Sequence, residues 1–204
     1  MTLRPGVLWY ALDMGDVTVV TASTPMRTRL LGEAIMSVRA QTLLPAEHLI
    51  SVDLHQRGGW HTKNSLIRRV STEWVQILDD DDLLHPHHLE RLMAEATPDV
   101  DIIYSYADGA NYTGWYNKPF DPESLLKDNN VSHNALIRKS VFNKIGMFKQ
   151  VFGYDWLFWV EAYRAGAKFK CVPEITWTYR IDDGWSHESH IRDGYEEVKR
   201  IING

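Results

Sequence analysis

Residues 74–78 form a mostly apolar run, and four consecutive aspartates, here called the acidic run (residues 79–82), follow it directly. The apolar run has the length and composition of a buried β-strand. Four adjacent carboxylates repel one another unless a positive charge lies among them. A divalent cation is the simplest such charge, and carboxylate oxygens suit Mg²⁺ or Mn²⁺. Because open α/β sheets bind ligands at the carboxyl ends of their strands, the stretch predicts a strand that ends in a ligand site.

A structural role for the aspartates is the alternative. Asp82 could cap a helix that the pattern predicts over residues 86–93, where Pro86 would lie in the first turn. Capping uses one carboxylate and leaves three without an explanation. On this stretch alone both interpretations stay open.

Strands and helices alternate before the acidic run. Five segments follow in order, namely a β-branched strand, a helix, a second strand, a loop and a short helix, at residues 17–24, 29–40, 48–53, 54–63 and 64–72. A β-branched run that ends in small hydroxylated residues is typical of a buried parallel strand. The alternation predicts an α/β fold in which a mostly parallel sheet is flanked by helices.

The chain after the acidic run has a less regular pattern. Residues 107–118 combine glycine, asparagine and aromatic residues without a helical period, which predicts a hairpin or a surface excursion. The tail from Asp182 is polar and predicts a mobile end. The remaining segments are predicted as strands at residues 101–105, 168–171 and 176–180 and as helices at residues 120–126, 138–145 and 155–165.

Composition narrows the class of protein. With 204 residues, 44% hydrophobic and 24% charged, the chain suits one well-packed domain and contains no predicted transmembrane segment. The formal net charge of -5 argues against a nucleic-acid backbone as the main partner. The single Cys171 cannot form an internal disulfide and the first residues lack a secretory signal, so we expect a cytoplasmic protein. Nothing in the sequence indicates an oligomeric state.

Short motifs follow one another in a fixed order along residues 17–187. The second strand ends in Asp53, Lys63-Asn64 precede the acidic run, and Gly153-Tyr154-Asp155 open a helix that ends at Gly166. This order and spacing resembles that of inverting glycosyltransferases of family 2, which have the GT-A fold.

The resemblance implies one GT-A-like domain over residues 1–204, with a nucleotide-sugar half at residues 17–106 and an acceptor half at residues 107–190. It also implies that the ends of the first two strands bind the nucleotide. The residues expected there are Thr21 and Ser23 for the base or ribose, Asp53 for the imide N–H of a uracil-type base, and Arg27 and Arg68 as cations. The structural alternatives are a core position for Thr21, a loop cap for Asp53 and an exposed helix surface for Arg68.

The resemblance places a DxD motif in the acidic run. Asp79 would lie near the ribose, Asp80 would contribute to nucleotide binding, and Asp81 would bind Mn²⁺ or Mg²⁺. The pair of aspartates one position later has the same spacing, so a register shifted by one residue stays open. A divalent cation would neutralise the charge of the diphosphate leaving group. His187, with His190 as its rival, would complete the metal shell.

An inverting transfer also needs a base that takes the proton of the attacking hydroxyl. The resemblance aligns Asp155 with the Asp of the family's Glu-Asp motif, although Tyr154 stands where the Glu is expected. Asp155 is therefore the expected base, with a helix N-cap as its structural alternative. Trp156 and His133 are candidates for contact with the acceptor, and a core position is the alternative for Trp156.

The resemblance thus implies a metal-dependent enzyme that moves a sugar from a nucleoside-diphosphate sugar to a saccharide or another hydroxyl-bearing acceptor. UDP is the expected nucleotide. A sugar-nucleotide nucleotidyltransferase is one alternative, but it would need a glycine-rich loop after the first strand, and residues 22–27 contain no glycine. A binding module that has lost turnover is another, and the departure at Tyr154 favours it.

Overall fold

Seven strands form one mixed β-sheet. The computed structural model describes residues 15–110, 112–180 and 195–204 in full, together with the backbone of Met14 and of residues 188–194. In this part of the chain the strands are β1 (Met14–Ser23), β2 (Leu44–Val52), β3 (Trp74–Ile77), β4 (Leu83–Leu84), β5 (Ile102–Asp108), β6 (Leu136–Arg138) and β7 (Phe169–Thr178). Their order across the sheet is β2-β1-β3-β6-β5-β7-β4.

Helices pack against the sheet. They are α1 (Thr28–Arg39), α2 (Gly59–Ile67), α3 (His88–Met93), α4 (Pro122–Leu125), α5 (Lys139–Ile145), α6 (Tyr154–Arg164) and α7 (Glu188–Asn203). A short 3₁₀ turn, Pro25–Arg27, joins β1 to α1. None of the described helices combines the length and the apolarity that crossing a membrane requires.

The strand directions explain why the sheet is mixed. β1 pairs in parallel with β2 and with β3, and β5 pairs in parallel with β7. β6 is antiparallel to both β3 and β5, between which it lies, and β4 is antiparallel to β7. Five of these strands therefore share one direction. The predicted α/β fold with a mostly parallel sheet and flanking helices is confirmed, with two short antiparallel strands that the sequence pattern did not predict.

The central strand β1 shows how the core is divided between the two faces of the sheet. Val17 and Val19 belong to the apolar layer that includes Ala34 of α1, whereas Val20 belongs to the opposite layer with Leu66 of α2. Successive side chains of a strand point to opposite faces. A strand that is covered on both faces is therefore apolar at consecutive positions, which is the pattern read in the sequence.

Three segments differ from the sequence prediction. Helix α2 begins at Gly59 rather than at residue 64, because Gly58 at φ 98° ends the preceding loop in a conformation that glycine tolerates. Residues 169–178 form one strand rather than two. The polar tail contains helix α7, which buries Val198 and Ile202 one helical turn apart.

Candidate active site

The carboxyl ends of three parallel strands meet at one edge of the sheet. β1 ends at Ser23, Asp53 follows β2, and the acidic run follows β3 after Leu78. The backbone N–H of Asp53 donates to the carbonyl of Ser23 (2.7 Å), and the N–H of Leu78 donates to the carbonyl of Val20 (3.1 Å). These bonds bring the predicted nucleotide residues and the acidic run to the edge where open α/β sheets bind ligands.

The four aspartates of the acidic run differ in exposure. Their side chains are 29%, 5%, 19% and 1% exposed at Asp79, Asp80, Asp81 and Asp82, respectively. The chain turns directly after β3, and the N–H of Asp82 donates to the carbonyl of Asp79 (3.2 Å). As a result, Asp79 and Asp81 reach the solvent while the two aspartates between and after them are buried.

Asp80 ties the acidic run to the end of β1. The hydroxyl of Ser23 donates to its Oδ2 (2.6 Å), and Nη1 of Arg27 donates to its Oδ1 (2.9 Å). The same Nη1 donates to Oδ2 of Asp81 (2.8 Å). Arg27, predicted as a cation for the nucleotide, therefore lies between two successive carboxylates.

Asp82 is held from the second half of the chain. Nδ2 of Asn134 donates to its Oδ2 (2.9 Å), and the backbone N–H of Arg180 donates to its Oδ1 (3.0 Å). A buried carboxylate needs such donors, because burial removes its hydration. Asp82 does not cap the following helix, since the N-cap residue of α3 is His87 and makes no side-chain cap bond.

Asp79 has two cationic partners. Nζ of Lys63 forms an ion pair with its Oδ1, and Nε2 of His133 lies 2.9 Å from its Oδ2 and 3.3 Å from Oδ2 of Asp82. Burial opposes the charge on His133, but the two carboxylates outweigh it and hold the pKa of His133 well above its ordinary value. Burial likewise opposes the charge on Asp79, and Lys63 and His133 reverse this and lower the pKa of Asp79. His133 is therefore a buried cation between two aspartates.

Asp81 has one cationic partner, Arg27, and lies beside the three other carboxylates of the acidic run. Burial, and then the carboxylates of Asp79 and Asp82, raise the pKa of Asp81 to about 7 in spite of Arg27. Nε of Arg180 donates to the backbone carbonyl of Asp81 rather than to its carboxylate. A partly exposed carboxylate with a raised pKa is a position where a further cation would be stabilised.

The donor set at this point fits a hard divalent cation. Among the described residues no three His, Cys, Asp or Glu side chains are arranged to hold a metal ion. Mg²⁺, however, is commonly bound by one or two carboxylates and completes its shell with water and substrate phosphates. The partly exposed pair Asp79 and Asp81 matches that requirement, and Asp81 is the member whose pKa is raised by burial and by the neighbouring carboxylates. His187, predicted as a further ligand, lies outside the described residues.

Asp155 lies in the first turn of α6. The N-cap residue of this helix is Gly153 at φ 72°, so Asp155 is not the N-cap that was its structural alternative. Nδ2 of Asn129 donates to Oδ2 of Asp155 (2.9 Å). The hydroxyl of the preceding residue, Tyr154, accepts a hydrogen bond from Nζ of Lys63 (2.8 Å). Lys63 thus connects the start of α6 to the acidic run.

Two of the predicted nucleotide residues are engaged in contacts within the protein. Thr21 is fully buried in β1, and its hydroxyl lies 3.0 Å from Nε2 of His48 on β2. The carboxylate of Asp53 accepts the backbone N–H groups of His55 (3.1 Å) and Gly58 (2.8 Å). Asp53 therefore closes the loop after β2 and stands at the ligand edge, whereas Thr21 lies in the layer between the sheet and α1.

The structure does not bring Arg68 and Trp156 to the acidic run. Arg68 is exposed just after α2 and makes no hydrogen bond or ion pair with the run in the described part of the chain. Trp156 is fully buried in α6, where its Nε1 donates to the carbonyl of Leu125 (2.7 Å). Both placements match the structural alternatives for these residues.

Four aromatic residues form a connected group, here called the aromatic cluster. The centroid of the Trp115 ring lies 4.9 Å, 5.6 Å and 5.7 Å from those of Tyr112, Tyr116 and Tyr179, respectively. Asn117 fixes this segment to β5, because its side chain both accepts from and donates to the backbone of Ala107 (2.8 Å each). Within the predicted surface excursion, residues 112–117 thus form an aromatic turn tied to β5.

The carboxylates of the acidic run and of Asp155 act electrostatically on Tyr179 of the aromatic cluster. Burial, and then the acidic run and Asp155, raise the pKa of Tyr179. Tyr179 directly precedes Arg180, whose backbone binds Asp82. Trp115 is 38% exposed. The cluster therefore offers an exposed ring close to the acidic run.

Sequence reasoning missed the roles of several polar residues. The acceptor role of His133 stays a prediction, and the contacts of His133 with Asp79 and Asp82 were not foreseen. The amides of Asn129 and Asn134 donate to the carboxylates of Asp155 and Asp82. One signal was available, since residues 129–134 contain three amides, a serine and a histidine around a single valine. Such a polar stretch is buried only where it has polar partners.

A family model described as glycosyl transferase family 2 matches residues 46–150 of the chain. The match covers β2, α2, β3 and the acidic run, and it continues through α5. No curated protein matches the chain.

Solved structures with the same architecture include those of TarS and of the mannosyltransferase PcManGT. TarS from S. aureus in complex with UDP-GlcNAc has a TM-score of 0.71 at 15% identity, covering 91% of this chain and 65% of that one. TarS in complex with UDP has a TM-score of 0.69 at 15% identity, with coverages of 91% and 64%. The mannosyltransferase PcManGT from Pyrobaculum calidifontis, in complex with GDP-Man and Mn2+, has a TM-score of 0.65 at 14% identity, with coverages of 91% and 64%. These likenesses show the fold, and the chain spans just under two thirds of the length of each.

Proposed function

The chain belongs to glycosyl transferase family 2, and from this premise we propose that it moves a sugar from a nucleoside-diphosphate sugar to an acceptor hydroxyl with inversion at the anomeric carbon. One observation carries the proposal. Asp79, one of the two partly exposed carboxylates that follow β3, is linked through Lys63 to the start of the helix that bears Asp155. Membership of the family removes the nucleotidyltransferase alternative.

The donor is proposed to bind at the ends of β1, β2 and β3. The structures of TarS with UDP-GlcNAc and of PcManGT with GDP-Man support a nucleotide-sugar donor. UDP is the nucleotide we expect, with Asp53 at the base and Ser23 at the ribose. Arg27 is close enough to the exposed carboxylates to meet the diphosphate, because it bridges Asp80 and Asp81.

The metal is proposed to be Mn²⁺ or Mg²⁺, held by Asp81 with Asp79 beside it. When bound, it would neutralise the negative charge that develops on the departing diphosphate. The partial exposure of these two side chains supports the register Asp79-x-Asp81, since the alternative pair, Asp80 and Asp82, is buried. The Mn2+ in the PcManGT complex supports the same kind of site.

The base is proposed to be Asp155. Its carboxylate takes the proton of the acceptor hydroxyl as the hydroxyl oxygen forms a bond to the anomeric carbon, and the bond from that carbon to the diphosphate breaks. The amide of Asn129, which donates to one carboxylate oxygen, would fix the orientation of the group and leave the other oxygen for the proton. Inversion follows, because the hydroxyl attacks on the face opposite the leaving group.

The acceptor is proposed to be a saccharide. The exposed ring of Trp115, packed against the aromatic cluster, is a surface on which the apolar face of a sugar ring could stack. The single free Cys171 is compatible with the proposed cytoplasmic location, where thiols stay reduced.

A binding screen tests the proposal directly. The thermal midpoint of the protein is measured with UDP, GDP, UDP-GlcNAc and GDP-mannose, each with Mn²⁺ and with EDTA. We expect one base to stabilise the protein by about 2.7 kcal/mol at a hundredfold excess over its Kd, with the effect reduced in EDTA. Absence of a shift with every nucleotide would contradict a nucleotide-sugar enzyme.

A further inference from the structure

Lys63 is a buried cation that contacts both halves of the chain. Its side chain is 3% exposed within α2. Nζ forms an ion pair with Oδ1 of Asp79 and donates a hydrogen bond to the hydroxyl of Tyr154 (2.8 Å), a residue 91 positions later. Nζ also lies 5.3 Å from the centroid of the Tyr154 ring. One ammonium group thus joins the acidic run to the start of α6.

Because Lys63 is buried, its ammonium group depends on these two contacts to replace its hydration. An ammonium group has three N–H donors, and removing it from water costs several kcal/mol unless partners replace the lost hydration. The carboxylate of Asp79 and the hydroxyl of Tyr154 are the partners found in the described part of the chain. The distance between the acidic run and the start of α6 is therefore constrained by a charged group that neither side can release without cost.

The hydroxyl of Tyr154 stays neutral beside the ammonium group of Lys63. Burial, and then the carboxylates of Asp79 and Asp155, raise its pKa to about 12 in spite of the neighbouring ammonium. The hydroxyl stays protonated at neutral pH, so it accepts from Lys63 without consuming the positive charge that Asp79 needs. Its ring packs on Phe148, with centroids 5.2 Å apart, which fixes the ring independently of the hydroxyl.

We propose that Tyr154 is a positioning residue, whose hydrogen bond to Lys63 sets the place of the adjacent Asp155 relative to the donor carboxylates Asp79 and Asp81. The inference rests on the proposed function, because it assigns a purpose to the distance between the donor site and the base. Nothing in this role requires Tyr154 to touch the donor. Loss of the hydroxyl should therefore impair the chemical step and spare donor binding.

The test compares the wild type with Tyr154→Phe, which removes the hydroxyl and keeps the packed ring. The control is Tyr163→Phe, which changes an equally conservative group at the other end of α6, where the side chain is partly exposed. Release of UDP from UDP-GlcNAc and of GDP from GDP-mannose is measured with Mn²⁺ and water as the acceptor. The Kd values of UDP and GDP are measured by calorimetry.

We expect kcat of Tyr154→Phe to fall by about tenfold or more, since a small misplacement of a reacting group can cost about a hundredfold. KM and the nucleotide Kd should stay within about twofold of the wild type, as should every parameter of Tyr163→Phe. A kcat that is unchanged in Tyr154→Phe would overturn the inference. So would a rise in KM and Kd with kcat unchanged, because that result makes the hydroxyl a donor-binding group.

Hydrogen exchange of the nucleotide-bound protein provides a second measurement that does not depend on turnover. Tyr154→Phe should lose protection in the first turn of α6, where the N–H of Leu157 donates to the carbonyl of Gly153, and should keep it at Ala165. Equal protection in the two proteins would refute the positioning role. A wild type that binds neither UDP nor GDP overturns the proposed function, and with it the inference.

Discussion

The two sides of the candidate site hold their charges in different ways. On the donor side, cationic side chains of the protein lie among the carboxylates of the acidic run. Arg27, Lys63 and His133 are each within contact distance of at least one of these carboxylates. On the acceptor side Asp155 has the neutral amide of Asn129 as its hydrogen-bond partner in the described part of the chain. One side holds its carboxylates with cationic side chains, and the other has a carboxylate with no cationic partner among the described residues.

This difference fits the roles proposed for the two sides. A group that binds a diphosphate through a cation works best when its own charge does not change during the reaction. A general base must gain a proton, and a cation paired with it would favour the charged form and oppose that step. The contrast therefore supports a division of labour in which the donor side binds and the acceptor side reacts.

Replacement of the proposed base, Asp155, should have the largest effect and tests the contrast between the two sides most directly. In Asp155→Asn the side chain keeps its size but can no longer take a proton, so we expect sugar transfer and donor hydrolysis to fall by about 10³-fold. The Kd of UDP with Mn²⁺ should remain within about twofold of the wild type, because the donor side is untouched. The two quantities are measured by nucleotide release and by calorimetry.

The result has two ways of contradicting the assignment. Transfer that survives in Asp155→Asn places the base elsewhere. Loss of nucleotide binding in the same variant would mean that the acceptor side also holds the donor, and the two sides would then not be separate.

Within the donor side, paired substitutions sharpen the comparison between exposed and buried aspartates. Asp81→Ala should lower Mn²⁺-dependent turnover by about a hundredfold with little change in stability, because relief of the repulsion from neighbouring carboxylates offsets the lost ion pair with Arg27. Asp82→Ala should instead lower the free energy of unfolding by about 3 kcal/mol, since it leaves His133 and Asn134 with a lost partner.

Activity is followed in a Mn²⁺ titration and stability by urea unfolding. If Asp81→Ala keeps full metal-dependent turnover while Asp82→Ala abolishes it at unchanged stability, the metal register is shifted by one residue. That outcome would also reverse the assignment of the exposed pair as the binding pair.

The fold was predictable from the sequence where periodicity is strong and local. The strand before the acidic run and helix α1 were predicted to within two residues, because each has a continuous apolar pattern. β6 was missed, since its three residues form a strand only by pairing with β3 and β5, which come from elsewhere in the chain. α7 was missed because its polar composition hides two buried residues, Val198 and Ile202.

The features of the site likewise divide into those that a local sequence pattern reveals and those that only the folded chain brings together. The acidic run could be singled out because carboxylates that directly follow an apolar strand are visible in the sequence, whereas the roles of Asp79, Asp81 and Asp155 were implied by the resemblance to the family. The charge state of His133 could not, because its partners Asp79 and Asp82 precede it by about fifty positions and only the folded sheet brings them together. Which aspartates are exposed likewise depends on the turn after β3.

The smallest expected effect concerns a buried histidine that lies outside the acidic run and is neutral in the folded protein. His88 in α3 is fully buried, its Nδ1 lies 2.7 Å from Oγ1 of Thr176, and burial lowers its pKa to about 3. In the unfolded chain the imidazole binds a proton near pH 6.5. Its contribution to stability is therefore fully present above pH 6.5 and is lost as the pH falls toward 3.

Between pH 7 and pH 5 the wild type should lose about 2 kcal/mol more of its free energy of unfolding than His88→Gln does. Urea unfolding at the two pH values measures this difference, and contributions from other groups cancel between the two proteins. His87→Gln, on the exposed side of the same helix start, should keep the wild-type dependence. If His88→Gln loses as much stability as the wild type, burial of the His88 imidazole is not the source of the acid sensitivity.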